Sequence, residues 1–417
     1  MLLEEAPMAD RKPDISGKRL TKAEYAVNFT DLHPPLDDHE ALVESDRCYF
    51  CHDAPCMTAC PTSIDIPMFI RQIQTGHPKS AAKTIFDQNI LGGMCARVCP
   101  TETLCEEVCV RQVAEGKPVK IGMLQRYATD RAMMDDKHPY TRAKATGKSV
   151  AVVGSGPAGL ACAHRLAMHG HHVTVFEARK KSGGLNEFGI ASYKAVDGFA
   201  QKEVEFVLSI GGIAIEHGKA LGKKLKLAEL QKNFDAVFLG LGLQGVNALG
   251  AKDEDTAGIE DAVDYIAELR QAKDLSKLPV GRRIVGIGGG MTAIDVAVQS
   301  KLLGAEDVTI LYRRGAAQMK ASPYEQDLAQ TKGVKIKHWV APKKVLVKNG
   351  TAVGLRCDYV MDVKGKLVAT GETFDIAADM IFKAIGQTYV DVLGGALALE
   401  GGRIKADAEG RTSVAGI

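Results

Sequence analysis

Eight of the ten cysteines in this 417-residue chain fall between Cys48 and Cys109, and no other feature limits so strongly what the chain can fold into. The first run reads Cys48-Tyr-Phe-Cys51-His-Asp-Ala-Pro-Cys56-Met-Thr-Ala-Cys60-Pro61, the second Cys95-Ala-Arg-Val-Cys99-Pro100-Thr-Glu-Thr-Leu-Cys105-Glu-Glu-Val-Cys109. In a reducing cytoplasm, thiols crowded into 62 residues favour metal ligation over disulfides. The first run is close to the bacterial ferredoxin pattern, in which the last cysteine before a proline serves a different cluster from the first three. It departs by placing four residues rather than two between Cys51 and Cys56. Two Cys-Pro dipeptides and eight soft thiolates suit two [4Fe-4S] cubanes. Each proline stops the local helix and removes a backbone N–H from the crowded site. A pair of structural zinc sites fits less well, because the spacing is unlike paired CxxC knuckles. His52 reads as a hydrogen-bonding neighbour rather than a ligand, since enough thiols are already present. Cys162 lies in a predicted helix and Cys357 in a strand-like run, Ala352 to Val360; both read as inert packing residues.

From Ser149 onward the texture changes to short β-branched runs alternating with Gly-rich turns and helices, the pattern of parallel α/β units. Lys148-Ser-Val-Ala-Val-Val-Gly154-Ser-Gly156-Pro157-Ala158-Gly159-Leu is a strand entering GxGxxG and a helix. A second strand, His172 to Phe176, ends at Glu177, 18 residues beyond Gly159. Gly154 makes the turn, Gly156 admits a pyrophosphate to the helix N-terminus, Gly159 allows tight helix-to-strand packing, and Glu177 can accept from ribose hydroxyls. Gly183-Gly184-Leu185 follows the acid, as it does in flavoproteins that bind two dinucleotides, so this first site is assigned to FAD. A second unit runs Arg282-Arg-Ile-Val-Gly-Ile-Gly288-Gly289-Gly290-Met-Thr292-Ala293-Ile-Asp295, then a helix to Leu303 and a strand Val308 to Tyr312. That strand ends in Arg313-Arg314 where the first unit has an acid. Guanidinium groups bind a 2′-phosphate that a carboxylate would repel, so the preferred donor is NADPH rather than NADH. The bland alternative is a solvated strand end. A nicotinamide gives two electrons at once, clusters take one at a time, and flavin does both, so no acid–base dyad is required.

At this length two or three domains are expected. The formal charge of +2 is nearly balanced, with no basic stripe that would suggest nucleic acid. Every apolar run is broken by Gly or a charge before it could span a bilayer. The start, Met1-Leu2-Leu3-Glu4-Glu5-Ala6, puts acids where a secretory peptide needs basic residues. A soluble, cytoplasmic protein is expected. Residues 1 to about 47 are polar, with charge at Lys18 to Lys22 and a Pro34-Pro35 break, and read as an extended arm.

On these motifs the sequence resembles, over almost its whole length, the family of the glutamate synthase small subunit and the N-terminal half of dihydropyrimidine dehydrogenase. The resemblance implies an α/β protein. An α-helical two-cluster domain (1–145) precedes two Rossmann-like domains, with an NAD(P)H domain (246–385) inserted in an FAD domain (146–245 and 386–417). Five residues between Cys99 and Cys105, and the run Ile121-Gly122-Met123-Leu124-Gln125-Arg126, are similar to the dihydropyrimidine dehydrogenase branch. Carried over, Cys48, Cys51, Cys56 and Cys109 would hold one cluster, and Cys60, Cys99, Cys105 and Gln125 the other, leaving Cys95 free. Spacing alone does not choose Gln125 over Cys95, and softness favours Cys95. The resemblance further implies the electron-input subunit of a bacterial heterotetramer. Its FMN-bearing partner would interconvert uracil or thymine and the 5,6-dihydropyrimidine. The alternatives are a glutamate synthase small subunit or related donor, and a module that holds clusters without turnover. The chain stops at Thr412-Ser-Val-Ala-Gly-Ile417, where the family continues into Ala-Gly-Gly-Asp, whose aspartate meets the ribityl chain. That implies a fragment or an incomplete flavin site.

Overall fold

Ile66, Phe69, Ile70 and Ile73 recur at the helical period, and in the computed structural model all four are buried on one face of a helix. The structure describes residues 19–135 and 137–417. They form two compact units, Asp31–Gln244 with Tyr389–Ile417, and Gly245–Thr388 with the described part of Met1–Thr30.

In the first unit the cysteine segment is carried by α1 (Asp38–Asp46), α2 (Ile66–Gln74), α3 (Pro78–Gln88), α4 (Gly92–Val98) and α5 (Ile121–Met133). Phe69 and Ile70 of α2, Ile85 and Phe86 of α3, and Leu124 of α5 share one core. Each such burial contributes roughly 1.5–3 kcal/mol. The extended arm expected before Cys48 is corrected by the structure, which forms a helix at Lys22–Asn28 as well as α1. The reason is local. Thr21 and Glu24 satisfy each other's backbone N–H groups, as do Asp37 and Glu40, and these capping boxes outweigh the polar composition. The part of that arm covering residues 1–18 lies outside the described residues.

The same unit continues through β1 (Ser149–Val153), α6 (Pro157–Met168), β2 (His172–Glu177), α7 (Leu185–Phe188), α8 (Phe199–Leu208), β3 (Ile213–His217) and β4 (Ala236–Leu239). The strands make a parallel sheet in the order β3-β2-β1-β4. Ala151, Val152, Val153 and Val175 are buried, as continuous apolar strands covered on both faces must be. The final segment closes on this sheet, with Val237 N–H donating to the Gly416 carbonyl at 2.9 Å.

The second unit holds β5 (Ile259–Asp261), α9 (Ala262–Gln271), β6 (Arg283–Ile287), α10 (Met291–Leu302), β7 (Asp307–Tyr312), α11 (Pro323–Thr331) and β8 (Val334–His338). It then adds β9 (Val340–Lys348), β10 (Thr351–Val363), β11 (Lys366–Ala377) and β12 (Met380–Lys383). A five-stranded parallel sheet runs β5-β12-β6-β7-β8, and β9-β10-β11 form a separate antiparallel sheet in which Cys357 is fully buried. Where the chain enters and leaves this unit, Gly245–Val246 and Gln387–Thr388 pair antiparallel. Among the described residues no helix is long and apolar enough to cross a membrane.

Candidate functional site

All ten cysteines are unpaired. Cys48, Cys51, Cys56 and Cys109 line one pocket, walled by Ile66, Ile70, Val119 and Ile121. Burial raises the Cys48 thiol and drives Cys56 up to about 12. Phe50 takes a left-handed φ of +52°, and its N–H points at the Cys48 sulfur at 3.4 Å. Arg71 lies 4.5 Å over the Phe50 ring and pins that loop. A second group joins Cys60, Cys99 and Cys105. Hydrogen bonding with Cys95, then burial, then the charges of Cys95, Cys105 and Cys60 hold Cys99 far above the ordinary thiol range. Burial does the same to Cys105, with Glu106 and Cys60 adding to it. Cys95 hydrogen-bonds with Cys99, Gln125 and Asn89, and the bond with Cys99 draws it down to about 7. Gln125 is buried, and its Nε2 donates to the Gly92 carbonyl at 2.8 Å. The structure therefore places Gln125 and Cys95 side by side at the second group.

Among the described residues no three Cys, His, Asp or Glu side chains converge closely enough to hold a single metal ion. A cubane instead spreads its ligands over four corner irons, and buried neutral thiols are the protonated form of the groups that iron would deprotonate. The residues present fit such clusters. Helix α4, which carries Cys95 and ends at Cys99, is held by groups the sequence did not single out. Glu203 of α8 accepts from Met94 N–H at 2.8 Å, and burial raises its carboxyl to about 8. Arg97 makes a two-pronged pair with Asp130 at 2.9 and 2.8 Å and lies 3.4 Å over the Phe199 ring.

In the first sheet Gly154 ends β1 with φ +100°, and a Cβ there would strike the Gly240 carbonyl. A Cβ on Gly159 would strike the Gly154 carbonyl, so helix and strand close on each other only with glycine at this crossing. Gly156 caps α6, whose first residues are Pro157, Ala158 and Gly159, and its missing side chain would meet only the Gly184 Cα, at 3.7 Å. Gly184, with φ +53°, opens α7 at Leu185, and Gly183 N–H donates to the Ser155 carbonyl at 2.9 Å. Two bare loops thus face one another at a helix N-terminus, a cradle that fits a pyrophosphate. Glu177 accepts from Ser155 N–H at 3.0 Å and Ser155 Oγ at 2.5 Å, and from Arg179 N–H at 2.8 Å. Ser155 is the residue that sequence reading missed here; only the fold shows that the acid closes back on the loop.

The second sheet repeats the arrangement. Gly288 has φ +148°, and a Cβ on it would strike the Ala384 carbonyl; one on Gly289 would strike the Tyr312 ring. Gly290 caps α10 with no atom within 4 Å of its missing side chain, and Thr292 and Ala293 lie in the first turn. Arg313 and Arg314 leave the end of β7, and among the described residues neither side chain has an ion-pair partner. Arg314 Nε and His338 Nε2 are buried with no hydrogen-bond partner. Unpartnered guanidinium and imidazole nitrogens at the ends of adjacent strands, beside an open helix N-terminus, fit a phosphorylated nucleotide. Trp339, next to His338, holds φ +59° and donates its N–H to the Arg314 carbonyl at 3.3 Å.

Comparison with known proteins finds two matching families. Residues 25–137 match the family described as dihydropyrimidine dehydrogenase domain II, 4Fe-4S cluster, and residues 148–417 match the pyridine nucleotide-disulphide oxidoreductases. The NAD-dependent dihydropyrimidine dehydrogenase subunit PreT of Salmonella typhimurium is 36% identical, over 74% of this chain and 74% of its own. The glutamate synthase [NADPH] small chain of Escherichia coli is 32% identical, over 86% of this chain and 79% of its own. FprA of Mycobacterium tuberculosis, solved in complex with NADPH, shares the fold with a TM-score of 0.52 at 20% identity, covering 62% of this chain and 77% of that one. Iron–sulfur, FAD and NAD(P)H binding follow from the matched families. The chain is an NAD(P)H-dependent oxidoreductase of the pyridine nucleotide-disulphide oxidoreductase family, in the branch that carries a dihydropyrimidine dehydrogenase-type 4Fe-4S domain.

Proposed function

We propose that this chain is the electron-input subunit of a dihydropyrimidine dehydrogenase, taking reducing equivalents from NAD(P)H and delivering single electrons through two [4Fe-4S] clusters to an FMN-bearing partner in a heterotetramer. The observation that carries it is the presence in one chain of two glycine-lined strand-to-helix crossings and two separate groups of thiols. Flavin, when bound, accepts electrons in pairs and releases them singly, which is what links a nicotinamide to a cluster.

The division into a cluster domain over 1–145, an FAD domain over 146–245 and 386–417, and an NAD(P)H domain over 246–385 belongs to this reading. Gly154, Gly156 and Gly184 give FAD close access to the N-terminus of α6, and Glu177 orders the loop around it. Cys48, Cys51, Cys56 and Cys109 hold one cluster, and Cys60, Cys99, Cys105 and Gln125 the other. Gln125 is preferred over Cys95 because its amide is oriented by the Gly92 carbonyl. Relatives are named for NAD and for NADPH alike; here Arg313, Arg314 and the orphaned Arg314 Nε favour the 2′-phosphate of NADPH. Ten unbridged cysteines suit the reducing cytoplasm.

Two assays on one preparation test the reading. Flavin bleaching by NAD(P)H should occur with the isolated chain, whereas dihydrouracil formation should require an added FMN-bearing partner. Uracil reduction by the chain alone would refute the division of labour, and glutamate formation with a partner purified from the source cell would assign the chain to glutamate synthase.

A further inference from the structure

The chain contains a single tryptophan, and it stands in a strained place. Trp339 follows the last residue of β8, directly beside the end of β7 through the Tyr312–His338 register. A left-handed φ on so bulky a residue persists only where surrounding contacts impose it, and such residues gather at binding sites. Here the contacts are visible. The Trp339 N–H donates to the Arg314 carbonyl, its carbonyl accepts from Val360 N–H at 2.9 Å, and its indole lies along Gly315. Gly315 has an ordinary φ of −80°, so backbone freedom does not explain a glycine there. Space does, because a Cβ would stand 2.9 Å from Gln318 Oε1, the movable end of a side chain, and 3.1 Å from Cζ2 and 3.4 Å from Cε2 of the indole. The other end of the same loop is tied to the glycine fingerprint, with Lys320 and Ala321 N–H groups donating to the Gly289 carbonyl at 2.8 and 3.0 Å. Arg313 and Arg314 are thus carried on a loop anchored at Gly289 on one side and clamped by Trp339 on the other.

We infer that Trp339 is a positioning residue that sets dinucleotide specificity, clamping the Arg313–Gly315 loop so that its guanidinium groups are held for a 2′-phosphate. This rests on the reading that the loop receives the 2′-phosphate of NADPH. A mobile loop loses backbone entropy on binding; a clamped one has lost it beforehand, and the gain falls only on the ligand that carries the phosphate.

The test uses the flavin- and iron-loaded chain, titrated with NADP⁺ and with NAD⁺ by calorimetry, together with emission from the single tryptophan. Trp339→Ala should weaken NADP⁺ roughly tenfold and NAD⁺ less than twofold, and Trp339→Phe should restore most of the ratio. In the unaltered chain NADP⁺ should change the tryptophan emission more than NAD⁺ does. Gly315→Ala, which crowds the indole without removing it, should lower the ratio severalfold, and it carries the test if Trp339→Ala does not fold. Equal weakening of both dinucleotides, or an unchanged ratio in these variants, overturns the inference. Arg313→Ala separates the two levels. If it collapses the ratio while the Trp339 and Gly315 variants do not, only the clamp is refuted. If it too leaves the ratio unchanged, the phosphate-reading loop itself is refuted.

Discussion

Glu203 carries its carboxyl into a wholly buried position, where it accepts from the backbone at the start of α4. Because burial raises the folded-state value to about 8 from 4.5, the folded chain holds a proton over that interval which the unfolded chain has released. Stability from this group is therefore complete below about pH 4.5 and falls as pH rises towards 8. Glu203→Gln keeps the acceptor oxygen and abolishes the titration. Denaturant midpoints measured from pH 6 to pH 9 should show the unaltered chain losing on the order of 2 kcal/mol relative to this variant; parallel pH profiles would show that the carboxyl is solvated. A second residue-scale expectation concerns Cys95. With Gln125 as ligand, Cys95→Ser should retain about eight irons per chain, as two cubanes require, while Cys60→Ser should fall to about four. Equal iron loss in the two variants would make Cys95 the ligand. Arg313→Ala removes a charge-assisted contact of about 1.5–3 kcal/mol, so NADPH binding should weaken ten- to a hundredfold while NADH binding is nearly unchanged.

At the scale of elements, the two strand-to-helix crossings are legible in the sequence because each is a local event. A β-branched run, glycines at fixed offsets and a helix all lie within about twenty residues, and β1–α6 and β6–α10 form there. The helical periods at Ile66 to Ile73 and Ala81 to Phe86 are local for the same reason, and they lie within α2 and α3. What sequence reading lost is of two kinds. The capping boxes at Thr21 and Asp37 were written in the chain but hidden by polar composition. The grip of α8 on α4, and of Trp339 on Gly315, joins residues far apart in sequence that no period or motif connects. The cysteine runs sit between these cases: their chemistry is readable from spacing, but the choice between Cys95 and Gln125 is not, because both reach the second group. The glycines themselves give a graded test. Gly159→Ala puts a methyl group into the Gly154 carbonyl and should lower both flavin content and thermal stability. Gly156→Ala meets only ordinary van der Waals contact and should leave the folded protein intact while weakening FAD alone. Absorbance of bound flavin and melting temperature, measured together, distinguish the two.

On the scale of the whole molecule, the core at Phe69, Phe86 and Leu124 packs around the thiol-bearing loops. Stripping iron should therefore lower the stability of the unit that contains Asp31–Gln244, since metal-binding free energy becomes folding free energy in such segments. Hydrogen exchange should quicken in α2, α3 and α5 and stay unchanged in β6, β7 and β12; uniform quickening would show that the clusters support both units. The path of the chain adds a matter of timing. The sheet β3-β2-β1-β4 is finished by a bond from Val237 to Gly416, yet Gly245–Thr388 is spelled out between those two residues. During synthesis on the ribosome the intervening unit is complete, with its paired entry and exit strands, before the segment that closes the earlier sheet has been made. The nascent protein thus waits with one edge of its first sheet unsealed until the second unit has emerged.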